Sequence, residues 1–169
     1  LAGYLDALEQ DLSQVDTYVK SGNLMVDAVL NSKLSLARQK DIALDCAAEL
    51  PEQLSVSDVD LCVILGNLLD NAVEACEKIP PEGRFLRVYC AVVKHQLYLS
   101  VQNSAKEELD FDERNYISKK RGNHGLGMKR VKVLVDQYQG FLNLQNQPGI
   151  FAAEVLLPLT APQSPCAHP

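Results

Sequence analysis

Apolar residues at Leu61, Ile64, Leu65, Leu68, Leu69, Ala72, Val73 and Cys76 recur at helical spacing and predict one helix with a wide apolar face. Asn67, Asn71 and Glu74 lie beside that face at i, i+4 and i+7, which sets them in a polar stripe along the helix. Ser57-x-x-Asp60 reads as the capping pair that opens it. A second amphipathic run covers about 24–40, with Ser21 or Asn23 as its cap and Leu24, Val26, Ala28, Val29, Leu30, Leu34 and Leu36 apolar. At the start of the chain Leu1, Leu5, Leu8, Leu12, Val15 and Val19 are spaced 4, 3, 4, 3, 4, an a/d seam that predicts a helix over about 1–20. Elsewhere the period shortens. Ile42 to Ala48 alternates as a strand does. After the turn Pro80-Pro81-Glu82-Gly83, Arg84 to Lys94 and Gln96 to Asn103 predict a hairpin with His95 near its tip. A helix over about 126–139 ends at Gly140 as its C′ residue, and Phe141 to Asn146 pairs with Ile150 to Leu157 across Gln147-Pro148-Gly149. Residues 105–122 are polar without period, a mobile lid or a surface loop. Helices alternating with hairpins predict an α+β fold, a two-layer sandwich of a mostly antiparallel mixed sheet and three helices.

Two short segments carry the candidate chemistry. Asn competes for nearby backbone groups and forms helices poorly, so two of them mid-helix at 67 and 71 suggest a site rather than a surface. An amide offers a neutral oxygen to a hard cation and an N–H to phosphate. The alternative is a pair of solvated or capping side chains. Downstream, Gly122-Asn123-His124-Gly125-Leu126-Gly127-Met128 runs straight into the helix carrying Met128, Val131, Leu134, Val135 and Tyr138. A glycine-rich turn at a helix N-terminus exposes backbone N–H groups where the dipole favours an anion. This turn is neither G-x-G-x-x-G nor a Walker P-loop.

Together these segments resemble a known group. Leu65-Gly66-Asn67-Leu68-Leu69-Asp70-Asn71-Ala72 resembles the N box of the ATP-binding superfamily of DNA gyrase, one chaperone class, histidine kinases and mismatch-repair ATPases, and Gly125-Leu126-Gly127-Met128 resembles its second glycine box. With Val101-Gln102-Asn103-Ser104 and His124-Gly125-Leu126-Gly127, the chain is most similar to sensor histidine kinases of the peptide-pheromone, accessory gene regulator type, from about residue 20 to about residue 158. The resemblance implies a Bergerat-type ATP-binding fold, with Asn71 ligating the Mg²⁺ that bridges the nucleotide phosphates and Asn67 holding the phosphates or the metal shell. These two residues would be its catalytic pair. Asn103 stands where most of the superfamily has an adenine-reading Asp, and Ser104-Ala105 replaces the usual Gly-x-Gly. Gly125 and Gly127 would let the backbone approach the phosphates, with His124 and Leu126 beside them. Lys120 and Arg121, in the cluster Lys119-Lys120-Arg121 with Lys129, Arg130 and Lys132 beyond, suit a polyanionic ligand or form a solvated face. The superfamily's ATPases place a water-activating Glu where this chain has Asn67, which cannot act as a general base.

By the same resemblance the chain divides into 1–21, the end of a dimerisation and phosphoacceptor hairpin; 22–158, the ATP-binding domain; and 159–169, a Pro-rich tail expected to be disordered. The expected activity is histidine kinase phosphotransfer from Mg–ATP. Its partners would be the protein's own phosphoacceptor helix and a response regulator, in a homodimeric, cytoplasmic kinase portion. His95, His124 and His168 are the three histidines, and none lies on a long predicted helix, so the acceptor is expected outside this chain, which would not autophosphorylate alone. The alternatives are a degenerate nucleotide-binding or dimerisation module, an anti-sigma-type serine kinase and a gyrase-type ATPase.

Composition narrows the rest. The chain of 169 residues is 47% hydrophobic and 22% charged, which suits one globular core. A net charge of −6 argues against a nucleic-acid surface. No apolar run reaches the ~18 residues of a membrane span. The five cysteines show no C-x-x-C or Cys/His metal spacing and read as reduced core thiols.

Overall fold

A computed structural model describes residues 19–106 and 126–160, together with the backbone of 111–112 and 117–118. Three helices, α1 (Leu24–Gln39), α2 (Asp58–Glu77) and α3 (Leu126–Gln137), alternate with seven strands: β1 (Ala43–Glu49), β2 (Phe85–Val93), β3 (Gln96–Ser104), β4 (Phe111–Asp112), β5 (Ile117–Ser118), β6 (Phe141–Gln147) and β7 (Ile150–Pro158). The main sheet has the order β1-β2-β3-β7-β6. β1 and β2 run parallel, joined through α2, and the other pairs are antiparallel. This is the expected two-layer α+β architecture.

α2 is the centre of the core. All eight apolar residues of its predicted face are buried. They meet the inward side of the sheet, where Leu86, Val88 and Cys90 of β2, Leu97, Leu99 and Val101 of β3, and Phe151, Ala153, Val155 and Leu157 of β7 are buried. In each strand the alternate residues are more exposed, as period two demands. α1 packs along α2 through Val26, Leu30, Leu34 and Ala37, whereas Leu24 is 83% exposed and Leu36 41%. Its cap is Asn23, whose side chain accepts from Val26 N at 3.1 Å. Ser21 instead donates from both its N–H and its hydroxyl to Asp27. Burial pushes the thiols of Cys46 and Cys90 up to about 11 and about 12, the environment of inert core cysteines.

The ends of the helices are tied by side chains. Arg84 donates to Ile79 O at 2.9 Å, Lys40 O at 2.8 Å and Glu77 O at 3.3 Å, so one guanidinium satisfies carbonyls at the C-terminal ends of both α1 and α2. Lys40 and Glu77 pair beside it. The β2–β3 hairpin turns on Lys94 (φ 50°) and His95 (φ 63°), both left-handed, the conformation a two-residue type I′ turn requires.

Three details depart from the sequence expectation. Gly140 is not C′. Gln139 takes the left-handed conformation (φ 56°), Gly140 N donates to Val135 O at 2.8 Å, and Gln139 N donates to Asp136 O at 3.0 Å, a Schellman arrangement with glycine one place later. Glycine is needed there because a Cβ would lie 2.4 Å from Leu156 O. Within 105–122, β4 and β5 form a two-residue antiparallel pair, too short to leave a period in the sequence. Finally, Val19 and Lys20 are not helical, and the rest of the predicted helix over 1–20 lies outside the described residues, as does the tail beyond residue 160.

Arg84→Ala is expected to cost about 2 kcal/mol, since charged hydrogen bonds contribute about 1.5–3 kcal/mol each and the freed carbonyls can turn to water. For a domain of this size that lowers Tm by about 4–8 °C. Arg84→Lys, with no fork, should recover less than half, and thermal melts of the three proteins check this. On the open face, Tyr98 donates to Glu154 at 2.7 Å and Asn143 donates at 3.0 Å. First Tyr98 and then Asn143 hold the Glu154 carboxyl below its ordinary value. A depressed carboxyl stabilises the fold above its unfolded value, about 4.3, and the contribution fades as pH falls through the folded value. Tyr98→Phe should therefore lower Tm at pH 7, and the gap to wild type should narrow below about pH 4; a pH-independent gap would refute the linkage.

Candidate functional site

Ser57 caps α2, accepting from Asp60 N at 3.2 Å, and twenty residues of helix follow. Because one face of α2 is committed to the core, Asn67, Asn71 and Glu74 are left partly exposed along its edge. α3 packs against that edge. Its first turn brings Gly127 so close to α2 that a Cβ there would lie 2.8 Å from Asn67 Oδ1. The result is a pocket of about 180 Å³ lined by Asn67, Asp70, Asn71, Glu74, Gly127, Met128 and Arg130.

Each wall has a distinct chemistry. Asn67 Nδ2 donates to Val63 O at 2.7 Å, which fixes the amide and turns its oxygen toward α3. The amide assignment is thus set by the backbone carbonyl. The first turn of α3 carries N–H groups with no partner inside the helix and the positive end of its dipole. Arg130 adds a cation three residues after Gly127, on the same helix face. Asp70 is drawn toward α1 by Lys33 at 2.6 Å. The pocket therefore offers amide oxygens, oriented N–H donors, a guanidinium and carboxylates, a set suited to an anion accompanied by a hard cation.

The sequence-predicted residues divide. Asn67, Asn71 and Gly127 converge in the pocket. Leu126 does not line it; it is 46% exposed and lines a neighbouring apolar groove with Val63, Val133 and Leu134. Asn103, 1% exposed, sits on the inward side of β3 between Leu86 and Phe151, with Nδ2 donating to Ser104 O at 3.0 Å. Ser104 is also buried, and its hydroxyl accepts from Phe85 N at 2.9 Å and lies 3.5 Å from Cys76 Sγ. That hydroxyl joins the end of β3 to the start of β2 and to α2. Lys120, Arg121, His124 and Gly125 lie outside the described residues. Arg130, expected in the basic cluster, lines the pocket, whereas Asp70 and Met128 are lining residues that were given no role. Spacing could have found Asp70, three residues after Asn67 on the same helix.

Comparison with known proteins agrees with this geometry. The profile of the GHKL domain matches residues 56–158. The sensor histidine kinase TmoS of Ectopseudomonas mendocina is 31% identical over 177 residues, an alignment that covers 94% of this chain and 17% of TmoS. The sensor protein EvgS of Escherichia coli (strain K12) is 29% identical over 136 residues, covering 75% of this chain and 11% of EvgS. The chain thus spans less than a fifth of either relative's length. Among solved structures, the nucleotide-free catalytic domain of histidine kinase ThkA superposes with a TM-score of 0.62 at 17% identity, over 80% of this chain and 92% of that one. The shared five-stranded sheet with three helices is that fold. With the GHKL profile covering most of the chain and both the N-box amides and the glycine-bearing helix in place, the protein belongs to the GHKL family, as an ATP-binding domain of the sensor histidine kinase class.

Proposed function

We propose that this domain binds Mg–ATP in the pocket between α2 and α3 and presents the γ-phosphate to a histidine on a separate phosphoacceptor helix. The observation that carries the reading is the convergence of Asn67, Asn71 and Gly127 on one pocket, from segments more than fifty-five residues apart in the chain. Asn71 supplies a neutral oxygen to Mg²⁺, and Asn67 supports the phosphates or the metal shell. A bound Mg²⁺ would supply charge neutralisation at the phosphates. The first turn of α3 cradles the phosphates with its N–H groups, and the lack of a side chain at Gly127 keeps that approach open. Asn103, which is buried and does not line this pocket, would offer the adenine amino group an amide oxygen in place of a carboxylate.

The chain's own residues favour transfer over hydrolysis. A general base must reach the attacking water. Asn67 holds no proton-accepting group, and its amide is bound to Val63 O. Asp70 is paired with Lys33, and both it and Glu74 are offset along α2 from position 67, where the ATPases' base stands. Positioning and charge neutralisation then account for the catalytic contribution of the domain. The acceptor histidine and a response regulator are the partners this activity requires. We place the domain on the cytoplasmic side of a dimeric sensor; no helix among the described residues is long and apolar enough to cross a membrane.

Calorimetric titration with ADP and a non-hydrolysable ATP analogue should give micromolar to sub-millimolar affinity that requires Mg²⁺. The absence of binding at millimolar nucleotide would overturn the reading. Outer-shell substitutions at metal sites cost about 10–100-fold, so removing the ligand itself with Asn71→Ala should weaken Mg–nucleotide binding by at least about tenfold while circular dichroism stays unchanged. Gly127→Val should abolish binding by filling the cradle and displacing Asn67; unchanged affinity would refute the assignment of α3's first turn.

A further inference from the structure

α3 meets the rest of the domain chiefly along α2. Met128, Val131 and Val135 are its buried residues, with Leu134 and Tyr138 partly buried against the core. Leu126 and Val133 remain exposed. Apolar packing is non-directional, so this narrow seam selects which face of α3 turns inward but resists sliding and rotation only weakly. A directional contact sits just past the far end of the helix. The Tyr138 hydroxyl donates to Asp60 Oδ2 and accepts from Ser57 N at 3.1 Å. In a capping box the first-turn acid would itself reach back to the cap N–H. Here the phenol stands between the acid and the cap, so the N-terminus of α2 is completed by a residue that follows α3.

The opposite end of α3 has little slack. Gly127, eleven residues before Tyr138, abuts the Asn67 amide closely enough that a Cβ would collide with it. At 1.5 Å per residue the two contacts are about 16 Å apart along one rigid helix. A shift at the tyrosine is therefore carried into the pocket.

We propose that Tyr138, acting through Asp60 and Ser57, is a positioning residue for nucleotide: it sets the axial position and rotation of α3 and hence the spacing between α3's first-turn N–H groups and Asn67 and Asn71. This rests on the reading of the pocket as the nucleotide site. Misplacement by about 1 Å from a remote change can cost as much as about 100-fold.

Tyr138→Phe keeps the ring and removes only the hydroxyl. In the full chain, its dissociation constant for Mg–ADP should rise about 5–50-fold with unchanged circular dichroism. Asp60→Ala should match it, whereas Asp60→Asn, whose amide oxygen still accepts from the phenol, should stay within a few-fold of wild type. Tyr98→Phe, on the open face of the sheet, serves as a destabilised control and should leave affinity within about twofold. In nucleotide-free protein, Tyr138→Phe should also move the Gly127 backbone and Asn67 side-chain amide resonances. Lowered Tm with unchanged affinity would overturn the proposal, as would equal weakening by Tyr98→Phe. If wild type binds no nucleotide, the pocket reading fails, and the resonances alone decide: shifts confined to the surroundings of residues 57, 60 and 138 would reject the lever.

Discussion

The packing of α2 on the sheet and against the other two helices is the constraint on which the rest of the structure depends. One helix both fills the core and carries the polar stripe, so neither can move without the other. Its buried face leaves a single orientation open, and that orientation fixes where Asn67, Asn71 and Glu74 emerge. Both ends are anchored by side chains from elsewhere in the chain. Arg84 satisfies the carbonyls at its C-terminal end and reaches α1 as well, while Tyr138 and Ser57 complete the N-terminal end. A helix of twenty residues anchored in this way is a rigid mount, which a site built on positioning and charge neutralisation needs.

α3 is the more weakly held partner. It contributes fewer buried residues than α2, and two glycines govern how it docks. Gly127 permits contact with α2 at the pocket, and Gly140 permits the chain to leave α3 against the backbone of β7. A side chain at the first would disturb the Asn67 amide; at the second it would collide with Leu156 O. One glycine thus serves the site and the other the fold.

Much of this was legible in the sequence because both periodicities were strong. The eight apolar residues of α2 and the two long hairpins follow from spacing, and the α1 cap is Asn23, one of the two candidates that capping chemistry offered. What escaped was set by tertiary contact. Leu24 and Leu36 match the helical pattern of α1 yet face outward, because only part of that face meets α2. Gln139 takes the left-handed conformation expected of glycine, since Gly140 is required one place later by β7. The junction that the Ser104 hydroxyl makes between β2, β3 and α2 also left no mark in the spacing. The Asn67–Asn71–Gly127 convergence was the part of the site most fully foreshadowed, as amides four residues apart and a glycine at a helix start have few other uses together.

The electrostatics favour amides over carboxylates at positions 67 and 71, although the superfamily's ATPases tolerate a Glu at the first. The chain carries a net charge of −6, and Asp70 and Glu74 already stand at the pocket. Carboxylates at 67 and 71 would add charge directly against a triphosphate. At 4 Å, each unit pair costs about 4 kcal/mol at the effective dielectric of a protein surface, more than a hydrogen bond returns. An amide avoids that repulsion and still ligates a cation through oxygen, or donates through nitrogen. Lys33 offsets Asp70 from the α1 side, and Arg130 and the dipole of α3 offset the remainder from the other. The same choice removes the general base from position 67. On the proposed reading, a pocket arranged to tolerate a polyanion beside acidic residues would thereby hold ATP with no base at position 67 to activate water.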